Sequence, residues 1–153
     1  TLGDKMKSLL ICVIFLLFSS VCFSELPLAD IQRSHIEGNV PSPDVFDALL
    51  ERDLLEYFHK ELGKPVSKVK FRLLRDGPTQ SGVAYPKYYL WVLVINGSEK
   101  ITEGAVRVAA IDKKRFDVTN FVSKKEIQKN PEQLSLIFPK LLVPSILATA
   151  GAK

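Results

Sequence analysis

Residues 85–95, YPKYYLWVLVI, form the longest β-favouring stretch of the chain. The stretch holds three of the four tyrosines and the single tryptophan, and its second half is rich in leucine and β-branched residues. Such residues favour strands, so the sequence predicts a central strand of a sheet here. Successive side chains of a strand point to opposite faces, and both faces of this strand are apolar enough to need cover. One face would carry Tyr88, Leu90, Val92 and Val94, and the other Tyr89, Trp91, Leu93 and Ile95.

A helical pattern precedes this strand. Ser42, Pro43 and Asp44 are typical of a helix start, because serine caps free amides, proline suits the first turn and an acid favours the positive helix end. Gly63 is typical of a helix end. The pattern therefore predicts an amphipathic helix over residues 44–62. Its apolar stripe would consist of Phe46, Leu49, Leu50, Leu54, Tyr57 and Phe58.

The sequence predicts three further strands, at residues 66–75, 101–112 and 116–122. The first alternates apolar with basic side chains, as a half-buried strand does. The dipeptide Asn96-Gly97 is typical of a tight hairpin between the central strand and the next one. One helix followed by four strands with short connections predicts an antiparallel sheet packed on the helix.

Both ends of the folded region carry their own patterns. Residues 25–43 mix polar residues with three prolines and show no clean period, so we expect an extended, partly mobile segment there. Ser123 and Glu126 form a capping box at the start of a short helix. The apolar residues that follow recur at helical spacing, and Pro139 and Pro144 must interrupt them. We expect these C-terminal helices to close one end of the sheet.

Residues 1–24 have the pattern of a few upstream residues followed by a secretory signal peptide. After the predicted initiator Met6 come a basic residue, an apolar run at 9–18 and small polar residues up to Ser24. The apolar run of about ten residues is too short to span a bilayer, which needs roughly 20. We therefore expect a signal peptide over residues 6–24, export to the periplasm or outside the cell, and no membrane span after cleavage.

Cysteine and charge content narrow the function classes. Both cysteines, Cys12 and Cys22, lie in the predicted leader, so the mature chain would have no disulfide and no thiol nucleophile. Loss of Asp4, Lys5 and Lys7 with the leader reduces the 21 basic and 17 acidic side chains to 19 and 16. The resulting net charge of +3 is mild, and it does not indicate a nucleic-acid partner.

The sequence contains no catalytic, metal-binding or cofactor pattern. His35 and His59 are the only histidines, and His59 lies near a predicted helix end, where a cation is favoured. Their spacing does not match that of metal ligands. Gly77 and Gly82 flank a predicted hairpin and do not open a helix, so they do not form a phosphate-binding loop. We expect a protein without enzymatic activity, metal or other cofactor.

The order of the predicted elements over residues 38–122 resembles the cystatin fold. It consists of an N-terminal segment containing Gly38, then a long helix, then an antiparallel sheet. A loop followed by tyrosines resembles the first hairpin of cystatins. It consists of Gln80, Ser81, Gly82, Val83 and Ala84. In that family, an N-terminal glycine and a Gln-x-Val-x-Gly loop form two parts of a wedge that fills the cleft of cysteine proteases. Here Gly82 and Ala84 take the places of the valine and glycine of that motif. The resemblance implies a partner-binding site at Gly38 and at residues 80–84.

We predict a single α+β domain over residues 44–153, in which a curved antiparallel sheet of about four strands packs on one long helix. The predicted function is non-catalytic binding of another protein, with protease inhibition as its specific form. This hypothesis requires Gly38, the loop at 80–84 and the turn at 112–115 to lie at one end of the sheet. The alternative is a small-molecule pocket protein or a simple acid/base enzyme on a cone-shaped fold of the nuclear-transport-factor type. That alternative requires an ionisable side chain inside a cavity between helix and sheet.

Overall fold

The computed structural model describes residues 27–152, so the predicted signal peptide lies outside the described residues. Each strand of the single sheet pairs antiparallel with the next, in the order β1-β2-β3-β4. The predicted α+β class is therefore confirmed. In chain order the elements are α1 (Leu28–Asn39), α2 (Pro43–Leu62), β1 (Lys68–Leu73), β2 (Lys87–Asn96), β3 (Glu99–Ile111), β4 (Arg115–Ser123), α3 (Lys124–Lys129), a 3-10 turn (Pro131–Gln133), α4 (Leu134–Ile137) and α5 (Val143–Ala150).

Helix α2 packs on one face of the sheet, as the sequence predicts. It begins at Pro43 and ends before Gly63, whose φ of 55° is the left-handed conformation that glycine adopts at low cost. The side chains of Leu50, Leu54 and Phe58 are fully buried against the sheet. We call this side of the sheet the α2 face; β2 contributes to it the buried side chains of Tyr88, Leu90, Val92 and Val94.

The C-terminal helices cover the opposite face of the sheet, which we call the C-terminal face. Tyr89 and Trp91 of β2 are buried there in one cluster with apolar residues of α3, α4 and α5. The prediction that these helices close one end of the sheet is therefore wrong. The physical reason is that the second face of β2 is as apolar as the first, so the tail is stabilised by lying across it. The tail residues buried in this cluster are Ile127, Leu134, Phe138, Leu142, Ile146 and Ala150.

The prediction of an extended segment over residues 25–43 is also wrong, because α1 occupies Leu28–Asn39. The three prolines that suggested an irregular segment are Pro27, Pro41 and Pro43, and all of them lie outside the helix. The twelve residues of α1 contain no proline to interrupt it. The last residue, Asn39, is buried and connects α1 to the sheet.

The hairpin and capping-box predictions are confirmed, whereas Ser42 precedes α2 without a side-chain hydrogen bond to the helix amides. Gly97 in the β2–β3 connection has a φ of 61°, which the Asn-Gly pattern predicts. Ser123 caps α3, and its hydroxyl and backbone amide both pair with Glu126 in a capping box. Within residues 27–152, no helix is long and apolar enough to cross a membrane.

Candidate functional site

Three chain connections meet at one end of the sheet. Leu73, the last residue of β1, pairs with Leu90, so the β1–β2 loop lies where β2 begins. Lys87 at that same end of β2 pairs with Ala109 near the end of β3, so the β3–β4 turn lies there as well. Backbone contacts of Asn39 with this turn add the α1–α2 connection. We call residues 39–42, 74–86 and 112–114 together the loop end.

The β3–β4 turn has a conformation that Asp112 tolerates and Lys113 does not favour. Asp112 and Lys113 have φ values of 52° and 60°, in the left-handed region, and neither is glycine. This conformation costs about 1–2 kcal/mol for an ordinary residue, because the Cβ atom approaches the following carbonyl oxygen. Neighbouring groups must therefore hold the turn in place.

Asn39 holds this turn from the side of α1. Its Oδ1 accepts a hydrogen bond from the Asp112 amide at 3.0 Å, and its backbone oxygen accepts one from the Lys113 amide at 2.8 Å. Its Nδ2 donates to the carbonyl of His35 at 2.9 Å, which fixes the amide orientation. The two residues with positive φ are therefore both bonded to one buried asparagine.

Helix α2 holds the same turn from the other side. The Asp53 carboxylate accepts a hydrogen bond from the Phe116 amide at 2.7 Å, just after the turn. Arg52 donates from Nη2 to the carbonyl of Lys114 at 2.9 Å and from Nε to Asp53 at 2.8 Å. Because both helices bond to it, the turn is preorganised, and a partner would not have to order it on binding.

The β1–β2 loop is also fixed at its base and shaped at its tip. Thr79 and Lys87 exchange two backbone hydrogen bonds of 2.9 Å, and the Thr79 hydroxyl lies 2.7 Å from the hydroxyl of Tyr89. At the tip, the amide of Ala84 donates to the carbonyl of Ser81 at 3.1 Å, which closes a tight turn. The loop therefore projects residues 81–84 from a fixed base.

The structure places the predicted partner-binding residues in two environments. Ser81, Gly82, Val83 and Ala84 are exposed at the tip of the loop, and Gly82 has a φ of 53°. Gln80 is half-buried and donates to the carbonyls of Gly82 and Ala84, so it shapes the tip from inside.

Gly38 is exposed, but it lies inside helix α1 and not in an extended segment. It is the neighbour of Asn39, so it lies next to the β3–β4 turn. A partner could reach Gly38 at the surface, although not along an extended chain as the resemblance to cystatins implies.

Several exposed apolar side chains lie at this end of the sheet. Val83 is 81% exposed and Tyr85 is 46% exposed, and Leu73 and Val45 are exposed at the end of β1 and at the start of α2. A cleft of about 360 Å³ opens between α2 and the β1–β2 loop at this end. Its lining includes Val40, Pro41, Phe46, Leu73 and Tyr88. Apolar surface gathered at one place is typical of an interaction site.

Lys87 is the cation at the base of the loop. Burial and the nearby Arg107 lower the pKa of Lys87 below its ordinary value. The Lys87 ammonium donates to the carbonyl of Tyr85 at 3.0 Å, which helps to orient the exposed tyrosine. Burial raises the pKa of Tyr88, whose ring packs edge-on against Phe46.

The space between α2 and the sheet is filled with apolar side chains. Leu50, Leu54 and Phe58 have no exposed surface, and Phe58 packs edge-on against Phe121 with ring centroids 4.9 Å apart. Among the described residues, no group of three or more His, Cys, Asp or Glu could hold a metal ion. The alternative hypothesis of an acid/base site stays a prediction, because a cleft of about 400 Å³ at the edge of this contact, between α2 and β4, is lined by Asp53, Glu56, Lys60, Arg115 and Asp117.

Comparisons of this chain with protein-family models, with curated proteins and with solved structures find no match. What the loop end does must therefore be inferred from its own geometry.

Replacing Asn39 by alanine is expected to lower the free energy of unfolding by about 1–3 kcal/mol, because the Asp112 amide loses its acceptor while its φ stays positive. Chemical denaturation followed by the fluorescence of Trp91 would measure the change. Asn130→Ala is the matched control, because Asn130 is exposed at the end of α3, outside the loop end, and its change should stay within about 0.5 kcal/mol. Equal losses in the two variants would contradict the assigned role of Asn39.

Proposed function

We propose that this chain is an exported, non-catalytic domain that binds another protein through its loop end. The observation that carries the proposal is the meeting of three connections at one end of the sheet, with the exposed apolar side chains of Val83 and Tyr85 on the most prominent of them. Export is supported by the signal-peptide pattern of residues 6–24.

The rigidity of the loop end supports binding to a partner of defined shape. The β3–β4 turn is bonded to Asn39, Arg52 and Asp53, and the β1–β2 loop is bonded at Thr79. Preorganised loops lose little conformational entropy on binding, so more of the contact energy appears as affinity. The bonds on the strained turn fit this role, since strain is retained where it positions a functional surface.

The specific form of the proposal is inhibition of a papain-type cysteine protease. It rests on the resemblance of residues 80–84 and the following tyrosines to the first hairpin of cystatins. The side-by-side arrangement of the β1–β2 loop, the β3–β4 turn and the α1–α2 connection supports a wedge that could enter a cleft. Because α1 is helical, we expect the loop tip and the turn to enter the cleft, while α1 supports them from behind.

A binding experiment with two forms of the protease tests this proposal. The chain from Glu25 to Lys153, which contains every residue that the structure describes, is titrated into a papain-type protease with a free active site. A second titration uses the same protease after its catalytic cysteine has been blocked by a bulky covalent reagent. We expect binding to the free form and at least about tenfold weaker binding to the blocked form, a loss of about 1.4 kcal/mol.

Two results would count against the proposal in different ways. Equal binding to both forms would place the contact outside the cleft and would exclude the wedge, while leaving protein binding in place. Absence of binding to the free form would remove protease inhibition as the specific function.

A further inference from the structure

Two leucines protrude from the C-terminal segment on the side away from the sheet. Leu136 is 86% exposed and Leu141 is 93% exposed. Their neighbours Leu134, Phe138 and Leu142 are buried against the C-terminal face. The segment therefore divides its apolar residues between a layer that packs on the sheet and a pair that points outward. Single exposed leucines are common, but two in one short segment are a candidate for an apolar contact.

The segment that carries these leucines has few charges, and the exposed Glu132 lies in the turn just before it. Residues 134–150 contain one charged side chain, Lys140, and no acid. Lys140 is exposed and directly precedes Leu141. The exposed Pro144, Ser145 and Ala148 continue the same uncharged surface along α5.

Charge is distributed unevenly between two parts of the chain. Residues 28–62, which include α1 and α2, carry eight acidic and three basic side chains, a net charge of −5. Residues 63–152, which include the sheet and the C-terminal helices, carry seven acidic and fifteen basic side chains, a net charge of +8. On the C-terminal face, the edge strand β1 contributes the exposed cations Lys68, Lys70 and Arg72.

Arg72 connects this basic strand to the C-terminal segment. Its Nη2 donates to the hydroxyl of Thr149 in α5 at 2.9 Å. The cations of β1 therefore border the C-terminal helices, while α2 lies on the other face of the sheet and α1 is bonded to the loop end.

We propose that the C-terminal segment and β1 dock on the surface of an anionic lipid bilayer. Leu136 and Leu141 enter the boundary between headgroups and acyl chains, and Lys140 with the cations of β1 contacts the headgroups. The acidic helix α2 lies on the opposite face of the sheet and faces away from the membrane, so the difference in charge between the two faces orients the molecule. The protein lies on the bilayer and does not span it, in keeping with the short helices of this segment.

Vesicle sedimentation tests the proposal with the chain from Glu25 to Lys153, which lacks the apolar run of the leader. Vesicles of phosphatidylcholine are compared with vesicles that contain phosphatidylglycerol. We expect the chain to sediment with the anionic vesicles and to dissociate as salt is raised, because the contact depends on charge. We expect the double variant Leu136→Ser, Leu141→Ser to bind at least about tenfold more weakly, since it loses two apolar insertions.

Leu28→Ser is the matched control, because Leu28 is 64% exposed and belongs to α1, outside the C-terminal segment and β1. It should bind the vesicles as the wild type does. The proposal is overturned if the wild type fails to bind anionic vesicles, or if the double variant binds as well as the wild type. It is also overturned if the wild type forms a dimer that the double variant does not, since the leucines would then bury each other. The loop end takes no part in this contact, so none of these three results bears on protease binding.

Discussion

Replacing Phe58 by alanine is expected to lower the free energy of unfolding by about 3–5 kcal/mol. Phe58 has no exposed surface and lies at the centre of the contact between α2 and the sheet. Its ring packs edge-on against Phe121 of β4 with centroids 4.9 Å apart, and against Tyr57 at 5.0 Å. The loss combines the transfer free energy of the ring with the cavity left behind. Because small domains have total stabilities of about 5–15 kcal/mol, this variant would be marginally folded.

Equilibrium unfolding in urea, followed by the fluorescence of the single tryptophan Trp91, measures this loss. Trp91 is buried on the opposite face of the sheet, so its signal reports the unfolding of the whole assembly. The exposed Lys60→Ala on the same helix is the control, with an expected change within about 0.5 kcal/mol. A loss below about 1 kcal/mol for Phe58→Ala would contradict the packing of α2 on the sheet.

Replacing Gly104 by alanine is expected to cost about 2–3 kcal/mol, although the added group is a single methyl. A Cβ atom at this position of β3 would overlap the carbonyl oxygen of Val122 and approach the Cα of Ser123 to 2.8 Å. Both of these groups belong to the backbone of the neighbouring strand β4, which cannot move without breaking its pairing with β3. The added Cβ atom would also lie 2.8 Å from the ring of Phe121. Position 104 therefore requires glycine because β3 and β4 approach each other closely there, and not because its φ is positive.

Gly38→Ala is the matched control for this substitution. A Cβ atom at Gly38 has no heavy atom within 4 Å, and the residue lies in helix α1 with an ordinary φ. Alanine stabilises a helix by roughly 0.5–1 kcal/mol relative to glycine, so Gly38→Ala should leave the free energy of unfolding unchanged or raise it. Thermal unfolding of Gly104→Ala and Gly38→Ala measures both changes, and only Gly104→Ala should unfold at a lower temperature than the wild type. If Gly104→Ala is as stable as the wild type, the register of β3 and β4 described here is incorrect.

The elements of the sheet could be predicted because their signals are local. The alternation in residues 66–75, the aromatic run at 85–95 and the dipeptide Asn96-Gly97 each indicate structure within a few residues. Helix α2 was equally clear, from its start at Pro43 to its end before Gly63. The two faces of β2 followed from the strand period alone.

The layers outside the sheet could not be predicted in the same way. Sequence spacing showed that the C-terminal segment is apolar on one side, but which surface it covers depends on competition between the end and the open face of the sheet. Helix α1 was missed because its flanking prolines, Pro27 and Pro41, were counted as part of an irregular segment. The first error concerns tertiary placement, which local periodicity does not contain, and the second concerns the bounds of a helix between two prolines.

The candidate site was only partly visible in the sequence. The loop at 80–84 was found through its resemblance to a known motif, and its position at the tip followed from the hairpin. Asn39 was not found, because the amide that it binds is 73 residues further along the chain. The positive φ values of Asp112 and Lys113 were equally hidden, since a charged tetrapeptide normally indicates only an exposed turn.

The central claim is that the loop end, and not the opposite end of the sheet, contacts the partner. Inhibition of a papain-type protease by the chain from Glu25 to Lys153 tests it most directly when two charge variants are compared. Val83→Asp places a carboxylate on the exposed tip of the β1–β2 loop, and Ser98→Asp places one on the exposed β2–β3 hairpin at the other end. We predict that the wild type and Ser98→Asp inhibit alike and that Val83→Asp inhibits at least about tenfold more weakly. Equal inhibition by both variants, or no inhibition by the wild type, would contradict the claim.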